Sequence, residues 1–250
     1  MNELLDTTEM YLKTVFELKE EGIPALRARI VERLDQSGPT VSETVGRLER
    51  DGLLVVADNR EIHFTPEGCR RAAHVMRRHR LAELLLLEVI GVDLEKIHSE
   101  ACRWEHALSD EVASRISALL NDPVQDPFGN PIPPEHSCCV ERKGVETADL
   151  PDFIIASAID AGLTPLAKVT PGSELWQLAR ITEGLQLDLA VLTELRELGL
   201  IPGAQLRVVE KDKKVSQIEV LPAGAEAATK GEMVEFPKYI TQGLFVTPVN

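Results

Sequence analysis

No stretch of 18 consecutive apolar residues occurs in the chain, and the leucine run Leu84-Leu85-Leu86-Leu87 is bounded by Glu83 and Glu88. A membrane span is therefore not expected. Met1-Asn2-Glu3 opens the chain without a basic segment or an apolar core of the kind that directs secretion, so a cytoplasmic protein is expected. In that compartment its four cysteines stay reduced and available as ligands. Cys-x-x-Cys is missing, which removes the usual zinc-finger spacing, and so is His-Glu-x-x-His, which removes the usual metalloprotease helix. No internal repeat or low-complexity tract is visible.

Basic excess is also lacking. The formal net charge is −14, which at first argues against nucleic acid as a partner. The charge is unevenly spread, however. Residues 1–80 carry 13 Lys and Arg against 14 Asp and Glu, whereas residues 81–250 carry 14 against 27. Binding DNA needs a local basic surface and not a basic protein.

What is present suits an ordinary globular chain, 44% hydrophobic and 27% charged over 250 residues, long enough for two or three domains. Asp6-Thr7-Thr8-Glu9 reads as a cap and an acidic first turn, opening a helix to about Lys19 that Gly22 and Pro24 end. A short helix from Ala28 to about Leu34, a break at Gln36-Ser37-Gly38 and a helix from Pro39 to Arg50 follow, with Val41, Val45 and Leu48 facing inward. Two strand-like runs, 53–57 and 61–65, flank the turn Asp58-Asn59-Arg60. Helix-turn-helix plus hairpin is the winged helix-turn-helix pattern. Ser37, Thr40, Ser42, Thr44, Arg47 and Arg50 are the side-chain types that meet phosphates and base edges.

Three helices are expected next, at 66–90, 94–108 and 110–120, with Leu81, Leu84, Leu85 and Leu87 forming a packing and self-association surface. A proline-rich segment over 122–134 cannot be helix or central strand. Residues 135–160 read as a linker. Strands at 166–170, 175–182, 205–209, 217–221 and 232–236, interrupted by a helix at 189–198, read as a small barrel.

The densest chemistry lies at His98-Ser99-Glu100-Ala101-Cys102-Arg103-Trp104-Glu105-His106. On a helix, His98, Cys102 and His106 recur at i, i+4 and i+8, and Glu105 follows Cys102 at i+3, placing two imidazoles, a thiol and a carboxylate on one face. His79 and Glu83 stand at i, i+4 upstream. Mixed N, S and O donors suit Fe²⁺, Co²⁺, Ni²⁺ or Zn²⁺ over Mg²⁺ or Ca²⁺. Met10 alone reads as core. The competing reading of the ligand set, a metalloenzyme or metal-storage protein, requires a base or nucleophile beside the metal, and none stands out.

The stretches Asp6-Thr7-Thr8-Glu9-Met10-Tyr11-Leu12, Ser37-Gly38-Pro39-Thr40-Val41-Ser42, Glu49-Arg50-Asp51-Gly52-Leu53, His79-Arg80-Leu81-Ala82-Glu83, Glu100-Ala101-Cys102-Arg103-Trp104-Glu105-His106 and Pro127-Phe128-Gly129-Asn130-Pro131-Ile132-Pro133 resemble the diphtheria toxin repressor family, in its iron-dependent regulator branch. The likeness runs almost continuously over residues 4–134. It implies a homodimeric, metal-activated transcriptional repressor, mainly α with small β parts. The implied domains are a winged helix-turn-helix (1–73), a helical metal-binding and dimerisation domain (74–140), a linker (141–164) and an SH3-like, FeoA-type β-barrel (165–250). The family's activating site falls on Met10, Cys102, Glu105 and His106. Its ancillary site falls on His79, Glu83 and His98, completed by Glu183 and Gln186 at i, i+3 in Arg180-Ile181-Thr182-Glu183-Gly184-Leu185-Gln186. Leu195-Arg196-Glu197-Leu198-Gly199-Leu200-Ile201-Pro202-Gly203 resembles the turn of the same C-terminal domains.

The resemblance implies two Fe²⁺ per chain, with Co²⁺, Ni²⁺, Mn²⁺ or Zn²⁺ as substitutes, and control of iron-homeostasis genes. Sulfur from Met10 and Cys102 disfavours Mn²⁺, although a manganese or zinc sensor of the same fold remains the near alternative. Operator DNA and a second copy of the chain are the expected partners, with one or two dimers per operator. Ser37, Pro39, Thr40 and Glu43 are expected to face the major groove, and Thr7, Arg27, Ser42, Thr44, Arg47, Arg50 and Arg60 to hold phosphates. Three departures stand out. Glu43 replaces the usual Gln, Asp126 replaces a Ser that with Arg80 and Asn130 helps hold an anion, and residues 135–165 are unlike relatives. Within that last segment, His136-Ser137-Cys138-Cys139 reads as a solvated loop before an extra metal or redox site.

Overall fold

The first helix begins where its cap is. The Asp6 carboxylate accepts from the backbone N–H of Thr8 at 2.8 Å and of Glu9 at 3.4 Å, and α1 runs over Thr7–Glu20. The computed structural model describes residues 6–135, 140–141, 153–154, 157–222 and 230–249; His136-Ser137-Cys138-Cys139 lie outside them. Helices α2 (Arg27–Leu34) and α3 (Gly38–Arg50) follow, the latter capped by Ser37, with Pro39 in its first turn. Val41, Val45 and Leu48 are fully buried, so the opposite face of α3 presents Ser42, Glu43, Glu49 and Arg50 to solvent. Strands β1 (Leu54–Val56) and β2 (Ile62–Phe64) pair antiparallel with Val55 opposite His63. The winged helix-turn-helix is thus present as expected.

Thr65 caps α4 (Pro66–Leu84), which continues through a π-helical turn, Leu85–Ile90, to Gly91 at φ +82°. Helices α5 (Leu94–Trp104) and α6 (Asp110–Leu119) complete the helical part. The expected self-association surface needs correction. Leu81 and Leu84 are buried against Ala113, Ile116 and Ile132 of their own chain. The apolar side chains left outside this region are Val89, Ile90, Val112, Leu119 and Val124. A helix's fourth or eighth position cannot be assigned to partner or self until the neighbouring helix is placed.

Two short strands, β3 (Val140–Glu141) and β4 (Phe153–Ile154), pair with each other. The C-terminal domain is a six-stranded antiparallel sheet in the order β5 (Thr164–Pro165), β10 (Leu244–Pro248), β6 (Trp176–Ile181), β7 (Gln205–Lys211), β8 (Val215–Val220) and β9 (Glu232–Pro237). Short helices α7 (Glu183–Gln186), α8 (Leu189–Glu197) and α9 (Lys238–Gln242) connect these strands. The expected strand at 166–170 is instead a 3₁₀ turn, Leu166–Lys168, so Leu166 reaches the core from a turn. The chain's last strand, β10, went unread in the sequence yet lies inside the sheet.

The proline-rich segment locks this sheet to the helices. Phe128 is fully buried in one cluster with Leu178 and Ile181. The Ile181 N–H donates to Phe128 O at 2.9 Å, and Asn130 Nδ2 donates to Ile181 O at 3.1 Å. Gly129 sits at φ +82°, and a Cβ there would lie 2.0 Å from Ala179 O; only glycine allows this approach. As β6 ends in that clamp, α7 begins against α4. Among the described residues no helix is long and apolar enough to cross a membrane.

Candidate metal centre and nucleic-acid interface

Four elements converge on one buried region. Helix α4 brings His79 and Glu83 one turn apart. Helix α5 brings His98 and Cys102, the turn after α5 brings Glu105 and His106, and α7 brings Glu183 and Gln186 from the C-terminal domain. Helix α5 ends at Trp104 with Glu105 as its C-cap in right-handed helical conformation, so Glu105 and His106 stand on the turn that follows. The donors form two adjoining groups that meet at Cys102, whose Sγ lies 3.6 Å from His98 Nε2 and clusters with His79 and His98.

The first group is His79, Glu83, His98 and Glu183, whose donor atoms all lie within 4.8 Å of one another. His79 Nε2 lies 2.9 Å from Glu83 Oε1 and 3.1 Å from His98 Nδ1. Glu183 Oε2 lies 3.3 Å from both of those ring nitrogens. Glu83 Oε2, Glu183 Oε2 and Gln186 Oε1 are buried with no hydrogen-bond donor. Buried oxygens left unsatisfied cost stability unless something else binds them. The Glu83 and Glu183 oxygens beside paired imidazoles fit a divalent ion of intermediate softness. Burial pulls His98 down, but its hydrogen bonds with Cys102 and Glu83 outweigh this and raise it to about 9.

The second group is Cys102, Glu105 and His106, beside the first half of α1. His106 Nδ1 faces Glu9 Oε2 at 2.6 Å, and His106 Nε2 lies 3.3 Å from Glu105 Oε1. Met10, partly buried, follows Glu9 on that helix and packs with the winged-helix core. The sequence reading missed Lys13, one turn further along. Its Nζ donates to Glu105 Oε2 at 2.9 Å and to Cys102 Sγ at 3.5 Å, and lies 3.0 Å from His79 Nδ1. The only hint in the sequence is the spacing Met10, Lys13, Glu17, which places an ammonium on the same face of α1; a charged residue there reads more simply as solvated. Burial pushes Glu105 up, yet Lys13 and His79 hold it down at about 2. Burial likewise pushes the Cys102 thiol up, and Lys13 with the His79 and His98 hydrogen bonds brings it down to about 5. Soft sulfur, already ionised beside a carboxylate and an imidazole, is a donor set for a soft divalent ion.

This gives a test. A thiol whose folded value is depressed contributes stability in full above its unfolded value, near ~8.5, and loses it as pH falls through the folded value. In metal-stripped protein, the iodoacetamide reactivity of Cys102, followed by peptide mass spectrometry, is expected to fall with a midpoint near pH 5. A midpoint in the ordinary thiol range would show that the Lys13 contact is not made in solution.

Next to the first group lies a guanidinium surrounded by acids. Arg80, fully buried, donates to Glu20 Oε1 at 3.0 Å and Oε2 at 2.5 Å, to Pro131 O at 2.5 Å, and to Glu183 Oε1 at 3.2 Å. Asp126 Oδ2 sits 3.6 Å from Arg80 Nε and accepts from Asn130 Nδ2 at 3.0 Å. Asp126 Oδ1 accepts from the backbone of Phe128 and Asn130, each at 2.8 Å. Burial and the Glu83 charge push the Asp126 carboxyl up, against the pull of Arg80. The Asp126 carboxylate thus places its oxygens between Arg80 and Asn130.

The residues expected to meet DNA fall as follows. Thr7, Ser37, Pro39, Thr40, Ser42, Glu43, Arg50 and Arg60 are exposed, and Arg27, Thr44 and Arg47 are half-buried. Ser37 Oγ and Thr40 Oγ1 are 2.8 Å apart at the N-terminus of α3. Arg47 reaches Thr8 Oγ1 at 3.4 Å, so α3 touches the start of α1. Helix α1 therefore runs from the recognition helix, past Lys13 and the Cys102 group, to the Arg80 network at Glu20.

A winged helix beside a helical region with two donor clusters, closed by a small β-domain, defines a class: DNA-binding regulators controlled by a divalent metal. Comparisons with known proteins narrow the class. Residues 3–62 match the family described as iron dependent repressor, N-terminal DNA binding domain, and residues 65–134 match iron dependent repressor, metal binding and dimerisation domain. Among similar proteins, the iron-dependent repressor IdeR of Mycobacterium leprae is 45% identical over 95% of this chain and 98% of its own length. The diphtheria toxin repressor of Corynebacterium diphtheriae is 45% identical over 86% of this chain and 90% of its own. A solved manganese-dependent transcriptional repressor in complex with manganese superposes with a TM-score of 0.76 at 25% identity, covering 97% of this chain and all of that one. The chain belongs to the iron dependent repressor family. It is a DNA-binding, metal-dependent, dimerising repressor and not an enzyme.

Proposed function

We propose that Fe²⁺ is the activating metal, that each chain takes two ions, and that the loaded homodimer represses iron-homeostasis genes in the cytoplasm. One observation carries this reading: Cys102, Glu105 and His106 meet α1 at the helix that also touches α3 through Arg47. Met10, Cys102, Glu105 and His106 are the residues that would hold the activating ion, and His79, Glu83, His98, Glu183 and Gln186 the ancillary one. When bound, the ion supplies a divalent positive centre that strengthens the tie between α1 and the turn after α5. Residues on α1 then keep one position relative to α4 and α5, and Thr8 with Arg47 passes that position to α3. Ser37, Pro39, Thr40 and Glu43 face the groove, while Thr7, Arg27, Ser42, Thr44, Arg47, Arg50 and Arg60 meet phosphates. Glu43 is a carboxylate among phosphates and favours a cytosine amino group.

The exposed Val89, Ile90, Val112, Leu119 and Val124 supply the apolar surface for the second copy. Residues 1–73, 74–140, 141–164 and 165–250 act as DNA-binding, metal and dimerisation, linker and SH3-like parts. One or two dimers occupy an operator. Names of relatives support iron, and sulfur donors support it over manganese. The manganese complex among the solved structures favours testing Mn²⁺ alongside.

The test is a gel shift in anaerobic buffer with metal-stripped protein, using a duplex selected from a random library with Co²⁺-loaded wild type. Fe²⁺ is expected to restore binding at lower free concentration than Mn²⁺. The variant Glu183→Ala with Gln186→Ala is expected to need about tenfold more Fe²⁺ while still reaching full binding, because coupling of this kind carries roughly 1–3 kcal/mol. Equal binding without metal would end the reading, and complete loss in the double variant would make the C-terminal domain part of the switch itself.

A further inference from the structure

Among the described residues, Lys13 is the one cation placed against the donors of both metal groups. Its side chain is 8% exposed, and its Nζ lies 2.9 Å from Glu105 Oε2, 3.5 Å from Cys102 Sγ and 3.0 Å from His79 Nδ1, with Glu17 Oε1 at 4.0 Å. An ammonium so placed does in part what a bound metal does, since it neutralises a carboxylate and a sulfur that otherwise face each other. The donors do not depend on it for their arrangement. Glu105 Oε2 is also 2.6 Å from His79 Nδ1, Cys102 Sγ is 3.6 Å from His98 Nε2, and α5 with its C-cap carries Cys102 and Glu105 on one short stretch of backbone.

A divalent ion bonds to thiolate and carboxylate at about 2.0–2.3 Å. An ion taking such bonds to the two atoms that Nζ now touches would lie within a few ångströms of the ammonium, with no room for solvent to screen them. The two charges cannot share the space at low cost. Of the two effects that Lys13 could have, holding donors together and competing for them, the geometry favours competition.

We propose that Lys13 is an internal competitor, a specificity-determining cation that occupies the Cys102–Glu105 donors in the metal-free protein and must leave for metal to enter, thereby setting the metal concentration at which the switch responds. The inference rests on the reading of Cys102 and Glu105 as metal ligands. It gives a reason for a buried lysine on a face of α1 otherwise given to contacts with α4 and α5. Nothing in the donor sets requires it for binding. A competitor of this kind raises the threshold without altering the bound geometry, which suits a sensor that must ignore trace metal.

The experiment titrates full-length, metal-stripped protein with Co²⁺ in the presence of a competing chelator, reading the near-ultraviolet thiolate-to-Co²⁺ band, for wild type, Lys13→Leu and Lys13→Arg. Leucine removes the charge without offering a metal donor; arginine keeps the charge. Lys13→Leu is expected to half-saturate at about tenfold lower free Co²⁺ or less, given the size of a nearby charge's effect, and Lys13→Arg to stay within about threefold of wild type. Equal or weaker binding by Lys13→Leu overturns the proposal, as does an equal gain in both variants, which would make the effect steric. Absence of the thiolate band in wild type overturns instead the ligand reading beneath it. If Lys13→Leu fails to fold by circular dichroism, acetylation of Lys13 in wild type decides the matter. Its labelling by acetic anhydride, read by peptide mass spectrometry, is expected to rise several-fold when Co²⁺ is added; an unchanged rate overturns the proposal.

Discussion

Cys102→Ala is expected to leave a folded dimer that no longer tightens on DNA when Fe²⁺ or Co²⁺ is added. The thiol is small and half-buried, so its loss removes little packing, and Lys13 retains Glu105 as a partner. Circular dichroism and the dimer's elution volume should therefore match wild type. The metal is another matter. Of the four proposed donors, Cys102 is the soft anionic one, and Met10, Glu105 and His106 without it make a weak site. Shifting DNA affinity by two decades requires the ion to favour the competent state by about 2.7 kcal/mol. Losing one of four ligands removes more than that. In a gel shift with the selected duplex, the apparent Kd at saturating Fe²⁺ is expected to rise about 100-fold, to the value of stripped wild type. A shift unchanged in this variant would move the activating site elsewhere.

The second large effect is expected at Arg80. Its guanidinium touches Glu20, Glu183 and the Pro131 carbonyl, so it joins α1, α4, the proline-rich segment and α7. Arg80→Met keeps most of the volume and leaves the buried carboxylates of Glu20, Asp126 and Glu183 without this cation. Breaking a buried pair from one side costs about 3–5 kcal/mol, which urea denaturation of the stripped protein should report as a lower midpoint. Arg80→Lys should recover only part of this loss, because an ammonium cannot span Glu20 and Glu183 as the planar fork does. A loss below about 1 kcal/mol in Arg80→Met would place Arg80 among surface pairs of little weight. Glu183 is also lost from its position near His79, so Co²⁺ capacity should fall toward one ion per chain.

These two residues differ in how they could be found. Cys102 stands out in the sequence because Glu100-Ala101-Cys102-Arg103-Trp104-Glu105-His106 concentrates ligand types at helical spacing. Arg80 lies in the basic run Met76-Arg77-Arg78-His79-Arg80, where any arginine could be the buried one. Helix α4 turns Arg80 inward and leaves its neighbours Arg77 and Arg78 half-buried. Helical spacing gave the local order of these donors but not their partners across helices: His98 Nδ1 lies 3.1 Å from His79 Nε2, and His106 Nδ1 lies 2.6 Å from Glu9 Oε2.

Local order was therefore readable from the chain: the cap at Asp6, the break at Ser37, the inward stripe of α3, the hairpin, and the residue types of both donor groups. Caps and stripes depend on neighbours within a turn or two, which one sequence contains in full. Membership of each donor group, the inward turn of Lys13 and Arg80, and the place of β10 inside the sheet were decided by the tertiary structure. They are contacts across 66 to 103 residues of chain, such as Lys13 with His79 and Arg80 with Glu183. At those separations the partner is chosen by how helices and sheet pack, and a charged residue looks the same in sequence whether water or another side chain receives it.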